Sequence, residues 1–378
     1  MAGLAVTELF GGAFRGKRVL VTGHTGFKGS WLCLWLNELG ATVTGYALAP
    51  PTTPSNFDVS KVGTRLARHV IGDVRDSEAL ANMVCEVDPD VIFHLAAQSL
   101  VRESYRDPVT TVSTNVMGTV NLLEAVRARS KPCGVIVITS DKCYENREWL
   151  YGYRETDPMG GHDPYSMSKG AAELVVASWR RSFFPPAAID RHGVCLATVR
   201  AGNVIGGGDW QQDRILVDCI RALQGGQPIG VRHPAATRPW QHVLEPLGGY
   251  LLLASRMLSA QANDGGVLAN AWNFGPEPAN CWPVARLVDE VVQCWGTGTW
   301  RDMSDPDGPH EAGFLALCCD KATRVLGWQP AWDVRRAIAE TVAWHKAFTA
   351  GANVAEVCKQ QIAGYCADVC RTDVTWMR

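Results

Sequence analysis

From residue 17 onward, short apolar runs alternate with longer stretches whose apolar positions recur at helical spacing. KRVLVTG, ATVTGYAL, RHVIGDVRD, DVIFHLAA, GVIVITS and VCLATVRAGNV read as six strands. GSWLCLWLNELG, SEALANMVCEV, TNVMGTVNLLEAVRAR and PYSMSKGAAELVVASWRRSFF read as helices, with Ser77 opening the second. Strand–helix alternation of this kind predicts an α/β protein with a doubly wound parallel sheet. After about residue 205 the rhythm changes. Gly, Pro and Trp become frequent (GGGDW, RPWQHV, NFGPEP, GWQP). The expected division is a core over 1–204 and a smaller cap over 205–378, with a segment near 236–275 returning to the core. No internal repeat or low-complexity tract interrupts the pattern.

Composition narrows the function classes. The chain has 378 residues, 47% hydrophobic and 20% charged, which is enough for a sizeable core. A net charge of −2 gives no electrostatic case for nucleic acid or an acidic membrane surface. No apolar run reaches the length of a membrane span, and the first residues lack a basic start followed by an apolar core. A cytoplasmic protein is expected. The 13 cysteines show no CxxC motif and read as reduced thiols, with Cys318–Cys319 in a core stretch; no metal site is expected.

VLVTGHTGFKGSW carries the first chemical signal. Gly23, Gly26 and Gly29 fall at the turn from the first strand into the first helix. Glycines there let the backbone approach a pyrophosphate, and the helix N-terminus supplies N–H groups and a favourable dipole. Dinucleotide binding follows, with His24, Thr25, Phe27 and Lys28 in the same loop. An acid usually ends the second strand and binds the adenosine ribose. Here that strand ends TGYALAPP, without acid or base. The missing Arg or Lys favours NAD over NADP, and the missing acid predicts weaker cofactor binding than usual. Asp73, followed by Val74, stands either at the adenine edge or in a helix-capping turn.

DPYSMSKGAAE holds Tyr165 and Lys169 four residues apart, on one face of a helix. An ammonium beside a phenol favours the phenolate, which can take a proton from a substrate alcohol as hydride leaves. TSDKCYEN, at the end of the fifth strand, delivers Ser140, Asp141 and Lys142 in succession. Such a run is either a solvated loop or the working edge of an active site.

Together these motifs resemble the extended short-chain dehydrogenase/reductases, a Rossmann-type family. TGHTGFKG is the glycine motif, HLAA the segment under the cofactor and YSMSK the catalytic pair. Within that family the chain resembles the nucleotide-sugar 4,6-dehydratases, nearest those acting on a CDP-linked glucose. SDKCYENREW, VRAGNVIGGGDW, RPWQHVLEPLGGY, WNFGP and PHEA carry that likeness. Met167, where a polar residue is expected, is a local departure.

The resemblance implies an NAD-dependent internal redox reaction on a nucleotide-sugar. Carbon 4 is oxidised, water is eliminated across carbons 5 and 6, and hydride returns to carbon 6. The product feeds deoxysugar synthesis, with surface O-antigen as its destination. The resemblance also implies roles for single residues. Ser140 bonds the 4-oxygen and helps Tyr165, and Asp141 protonates the departing hydroxyl. Lys142 takes the place of a glutamate base in relatives, acting either as the base or as a charged stabiliser. Leu95, Ala96 and Ala97 line the cofactor, while His94 reads as a core histidine. Asn115 either bends its helix and orders a proton relay to Lys169 or is an ordinary N-cap. Asn203 and Arg238 hold the diphosphate; Trp240 and His242 pack the cap. His310 and Glu311 stand between substrate contact and loop structure, and Tyr144 is a candidate for stacking near the nicotinamide or sugar. A homo-oligomer, dimer or tetramer, is implied through the long helices. A 4-epimerase of the same family, or an inactive NAD-binding regulator, is the alternative reading. No local pattern distinguishes cytosine from uracil or thymine.

Overall fold

The computed structural model describes residues 6–259, 265–304, 313–371 and 376–377. Its centre is a seven-stranded parallel sheet. The strands are β1 (Arg18–Thr22), β2 (Thr42–Ala47), β3 (Arg68–Ile71), β4 (Val91–His94), β5 (Cys133–Ile138), β6 (Val194–Arg200) and β7 (Ala271–Asn273). Their order is β7-β6-β5-β4-β1-β2-β3. The order reverses between β1 and β4, which opens a crevice at the carboxyl ends of those strands. β5 and β6 are buried along their whole length, as sheets covered on both faces require.

Six of the seven strands follow the sequence pattern. β7 does not, because three residues, AWN, are too short to show a period.

Helices cover both faces. α1 (Phe27–Glu38) is buried on nearly every side, so its sequence shows little amphipathic contrast. α2 (Ser77–Val87) and α3 (Gly118–Arg127) lie on the opposite face with α4 (Pro164–Ser182). The cap of α2 is Asp76, whose side chain accepts the amide of Ala79; Ser77 is the first helical residue, as expected. α4 starts on Asp163, with Pro164 at its first position, where a missing N–H costs nothing.

The chain between β4 and α3 forms helical turns at Val101–Arg106 and Pro108–Val112, then a π-turn at Ser113–Met117. Beyond β6, α5 (Ile215–Gln224), α6 (Leu244–Ser259), α7 (Val284–Trp295), α8 (Val334–Thr349) and α9 (Val354–Arg371) complete the molecule. α5, α7 and α8 share a core of their own, with Ile220, Leu287, Val291 and Ile338. α6 and α9 instead join the main core beside α1, where the Trp35 and Tyr365 rings meet edge to face at 5.7 Å.

Candidate active site

The glycine loop closes the crevice from below. Gly23 has φ of +75°, and a Cβ there would lie 2.6 Å from the Ala96 amide nitrogen. A Cβ on Gly29 would lie 2.2 Å from the Gly23 carbonyl oxygen. Gly26 is different. Its Cβ would have 3.4 Å to its nearest neighbour, and no side chain caps the helix it begins. The start of α1 therefore faces the cleft with uncapped amides, as an anion requires.

Thr25 ties the loop to the Leu48 carbonyl at 2.9 Å. His24 turns away from the cleft and meets His69, nitrogen to nitrogen at 2.7 Å. Burial, with His69 nearby, lowers its pKa to about 4.

Lys28 is half-buried next to Phe27, and its Nζ donates to the Tyr250 hydroxyl at 3.4 Å. Burial lowers its pKa to about 7; Arg214 and Lys169 add to the fall and Asp141 opposes it.

One cleft of about 1140 Å³ is lined by the glycine loop, Asp73, Val74, the 95–97 segment, the end of β5, Tyr165, Lys169, Asn203 and Arg238. Asp73 bonds the guanidinium of Arg75 and does not cap α2. The end of β2 presents Ala47, Leu48, Ala49 and Pro51. Leu95 continues the β4 ladder by donating its amide to the Thr22 carbonyl at 3.1 Å. His94 is a core histidine, hydrogen-bonded to Thr22 at 2.8 Å and to Thr119 at 3.4 Å.

At the end of β5 the backbone enters a 3-10 turn over Asp141–Cys143. Ser140 opens it by accepting the Lys142 amide at 3.2 Å and donates to Asp141 Oδ1 at 3.0 Å. Asp141 is fully buried, and its second oxygen has no partner among the described residues. Lys142 reaches within 3.9 Å of Asp141, with about a third of its side chain exposed (35%). A solvated loop would bury none of these groups, so the run forms one wall of the cleft.

Tyr165 and Lys169 share a face of α4, as their spacing requires. The electrostatics differ from the expectation. Burial pushes the Tyr165 phenol up to about 12, partly offset by a hydrogen bond with Ser140. Burial also lowers Lys169 to about 8. Its ammonium donates to the Ile138 carbonyl at 3.3 Å. Desolvation therefore outweighs any stabilisation of the phenolate by this lysine.

Asn115 lies inside the π-turn, away from any helix start, so the N-cap alternative fails. Its Oδ1 accepts the Gln98 amide at 2.8 Å, and its Nδ2 donates to the Gln98 carbonyl and to Ser168 Oγ. Its described bonds reach Ser168, the residue before Lys169, and stop short of Lys169. Asn203 has φ of +43° and a buried Oδ1 with no partner among the described residues. Arg238 donates to the carbonyls of Thr237 and Gly313.

Tyr144 stacks on Tyr153 at 5.1 Å, with its hydroxyl held by Asn273 and Arg200. Trp240 packs in the cap, whereas His242 is buried in the main core between Trp31 and Trp332. His310 and Glu311 lie outside the described residues.

Sequence reasoning missed Arg102, Arg214, Arg232 and Asp213, which also line the cleft. They come from three separate segments, with only Asp213 and Arg214 adjacent, and form no motif. Charged residue type was their only signal.

A parallel α/β sheet, a glycine turn at its switch point and a buried Ser–Tyr–Lys set define a dinucleotide-dependent class of enzyme fold. Residues 20–341 match the family described as GDP-mannose 4,6 dehydratase, and the chain belongs to that family. It is 50% identical to CDP-glucose 4,6-dehydratase of Salmonella typhimurium over 93% of this chain and 97% of that protein. It is 30% identical to CDP-paratose 2-epimerase of Salmonella typhi over 86% of this chain and 98% of that protein. The fold is that of dTDP-glucose 4,6-dehydratase from Bacillus anthracis, solved in complex with NAD. The TM-score is 0.73 at 19% identity, covering 89% of this chain and 99% of that one.

Proposed function

We propose that the protein is an NAD-dependent lyase that converts CDP-glucose to CDP-4-dehydro-6-deoxyglucose and water. The observation that carries this reading is the Ser140–Asp141–Lys142 turn, with Ser140 and Asp141 buried, which shares one cleft with Tyr165, Lys169 and the glycine loop. The relation to the Salmonella typhimurium enzyme supports the same substrate.

The residues fit a dinucleotide. Gly26 leaves room where a pyrophosphate would approach, and the amides of α1 face it. Bound NAD would supply a two-electron acceptor for hydride from carbon 4, returned later to carbon 6. Asp73, Val74 and Leu95 to Ala97 would line the cofactor. The apolar end of β2 supports NAD over NADP and a modest affinity; tighter binding of NADP in a fluorescence titration would refute this.

Tyr165 takes the proton of the 4-hydroxyl while Ser140 bonds the same oxygen. Lys169, anchored on the Ile138 carbonyl, supplies positive charge from the same face of α4. The 4-keto group acidifies carbon 5, from which Lys142 withdraws the proton. Asp141 protonates the leaving 6-hydroxyl, and its unpartnered buried oxygen supports that role. Asn115 ties the π-turn and Gln98 to Ser168 on α4, and Asn203 and Arg238 bind the diphosphate. Elimination needs an acid and a base at carbons 5 and 6. A 4-epimerase needs neither, so this turn favours the dehydratase.

Tyr105, Val109, Met117, Met167 and Leu174 are exposed on the helical layer that contains α4, which supports a homodimer through that face. A cytoplasmic site of action, and a product destined for deoxysugars of surface polysaccharide, complete the proposal. The decisive experiment incubates the protein with CDP-glucose, UDP-glucose, dTDP-glucose and GDP-mannose and weighs the products. Loss of water from CDP-glucose is expected. A new isomer of unchanged mass would indicate an epimerase, and no turnover would refute the assignment.

A further inference from the structure

We propose that the Asp213–Arg232 pair reads the base of the substrate nucleotide and selects cytosine. The inference rests on the reading of the cleft as a CDP-sugar site and deepens it. Arg232 follows the cap strand Ile229–Val231, which pairs with Trp300–Asp302. Asp213 lies in the loop that leads into α5. Arg232 Nη1 donates to Asp213 Oδ1 at 2.9 Å, and Arg102, from the sheet side, reaches the same oxygen at 3.5 Å. Both contacts fall on Oδ1, so among the described residues Oδ2 is left to accept from a ligand. Asp213 has φ of +60°, in the left-handed region that aspartate adopts more readily than most residues.

The charge balance decides which part of a nucleotide-sugar fits here. Arg214 is paired with Asp209 at 2.7 Å, and Asp218 also lines this part of the cleft. Each guanidinium therefore faces a carboxylate. A diphosphate would be repelled by those carboxylates, whereas a neutral base with a mixed donor and acceptor edge fits. Cytosine presents an N4–H donor beside the N3 and O2 acceptors. A carboxylate next to a guanidinium offers the complementary acceptor and donors. Uracil and thymine present O4, an acceptor, where cytosine presents N4–H. Asp213 would then face another acceptor across the contact, and mismatches of this kind are rejected more strongly than size differences.

The test compares kcat/KM for CDP-glucose and UDP-glucose in the wild type, Asp213→Asn and Arg102→Gln. An asparagine amide can donate to O4. Asp213→Asn is expected to reduce the CDP-to-UDP preference at least tenfold, with the loss on CDP-glucose falling on KM. Arg102→Gln removes the other ion pair to Asp213 and is expected to keep the preference. An unchanged preference in Asp213→Asn, or an equal collapse in Arg102→Gln, overturns the inference while leaving the dehydratase reading intact. Calorimetric titration with CMP and UMP reads the same face without turnover. Equal binding of the two by the wild type overturns base reading whichever sugar is turned over. Preference for CMP, lost in Asp213→Asn, supports it even if the dehydratase reading fails.

Discussion

Two carboxylates lie near the end of β5, and they are satisfied to very different degrees. Glu173, on α4, is buried and accepts four hydrogen bonds, from Thr139, Thr198 and both Nε and Nη2 of Arg200. Burial alone would raise its pKa. The Arg200 charge and these bonds outweigh it and hold the carboxyl below the usual range. Asp141, also fully buried, receives one bond from Ser140 and leaves an oxygen without a described partner. A buried carboxylate with every lone pair occupied is part of the scaffold. One left incomplete is held by its surroundings at a cost to stability and is available for a substrate.

Opposite outcomes at the two sites are the sharpest way to break this comparison. Glu173→Gln removes one partner of a buried pair and leaves the Arg200 charge uncompensated. A loss of about 3–5 kcal/mol is expected, read as a fall in the denaturant midpoint. Asp141→Asn is expected to leave stability unchanged or slightly higher, while dehydration falls roughly 10²–10⁴-fold. Oxidation at carbon 4 should survive in that variant, seen as the 4-keto sugar in rapid-quench mass spectrometry. A marked loss of stability in Asp141→Asn would mean that its free oxygen carries no functional meaning.

Glu245 stands between these extremes and titrates. It is fully buried on α6, where it accepts the amides of Ala331 and Trp332 and the Tyr365 hydroxyl. Burial outweighs those bonds and raises its pKa from 4.5 to about 7. The folded state therefore holds a proton that the unfolded chain has already released near pH 4.5. Stability from this group is present below that pH and is lost as pH rises through about 7, by about 3 kcal/mol at most.

Buried His24, His94, His242 and His345 act in the other direction. Their lowered values mean that stability is lost as pH falls below about 6.5. Comparing wild type with Glu245→Gln cancels the histidines, which both proteins share. The wild type should lose its advantage between pH 5 and pH 8. A gap that stays constant over that range would refute the protonation argument.

What the sequence revealed depended on how local each signal was. Six strands, the glycine turn and the Tyr165–Lys169 face follow from spacing within one element. β7 was missed because three residues carry no period. Glu173 looked like an ordinary helical position in KGAAELVV. Its importance lies in Thr139, Thr198 and Arg200, which come from two strands remote in the chain. The Asp213–Arg232 pair likewise spans a loop and a cap strand. The direction of the Tyr165 shift escaped for another reason. Spacing reveals a neighbouring ammonium but not the burial that competes with it.

The smallest predicted effect separates the two carboxylates most finely, because their partners are adjacent residues. Thr139 Oγ1 donates to Glu173 at 2.5 Å, and Ser140 Oγ donates to Asp141 at 3.0 Å. Thr139→Val keeps the side-chain shape and removes one of the four bonds to Glu173. With three left, the carboxylate stays paired. A loss of about 1–2 kcal/mol is expected, with kcat nearly unchanged. Ser140→Ala removes the bond to Asp141 and the hydroxyl facing Tyr165, while Lys142 loses only the acceptor for its amide. Its stability cost should be no larger than that of Thr139→Val, but kcat should fall at least tenfold. Its acid limb should also move, since Ser140 offsets part of the burial shift of Tyr165. If both variants lost stability equally and neither lost activity, the two carboxylates would be equivalent parts of one structural network.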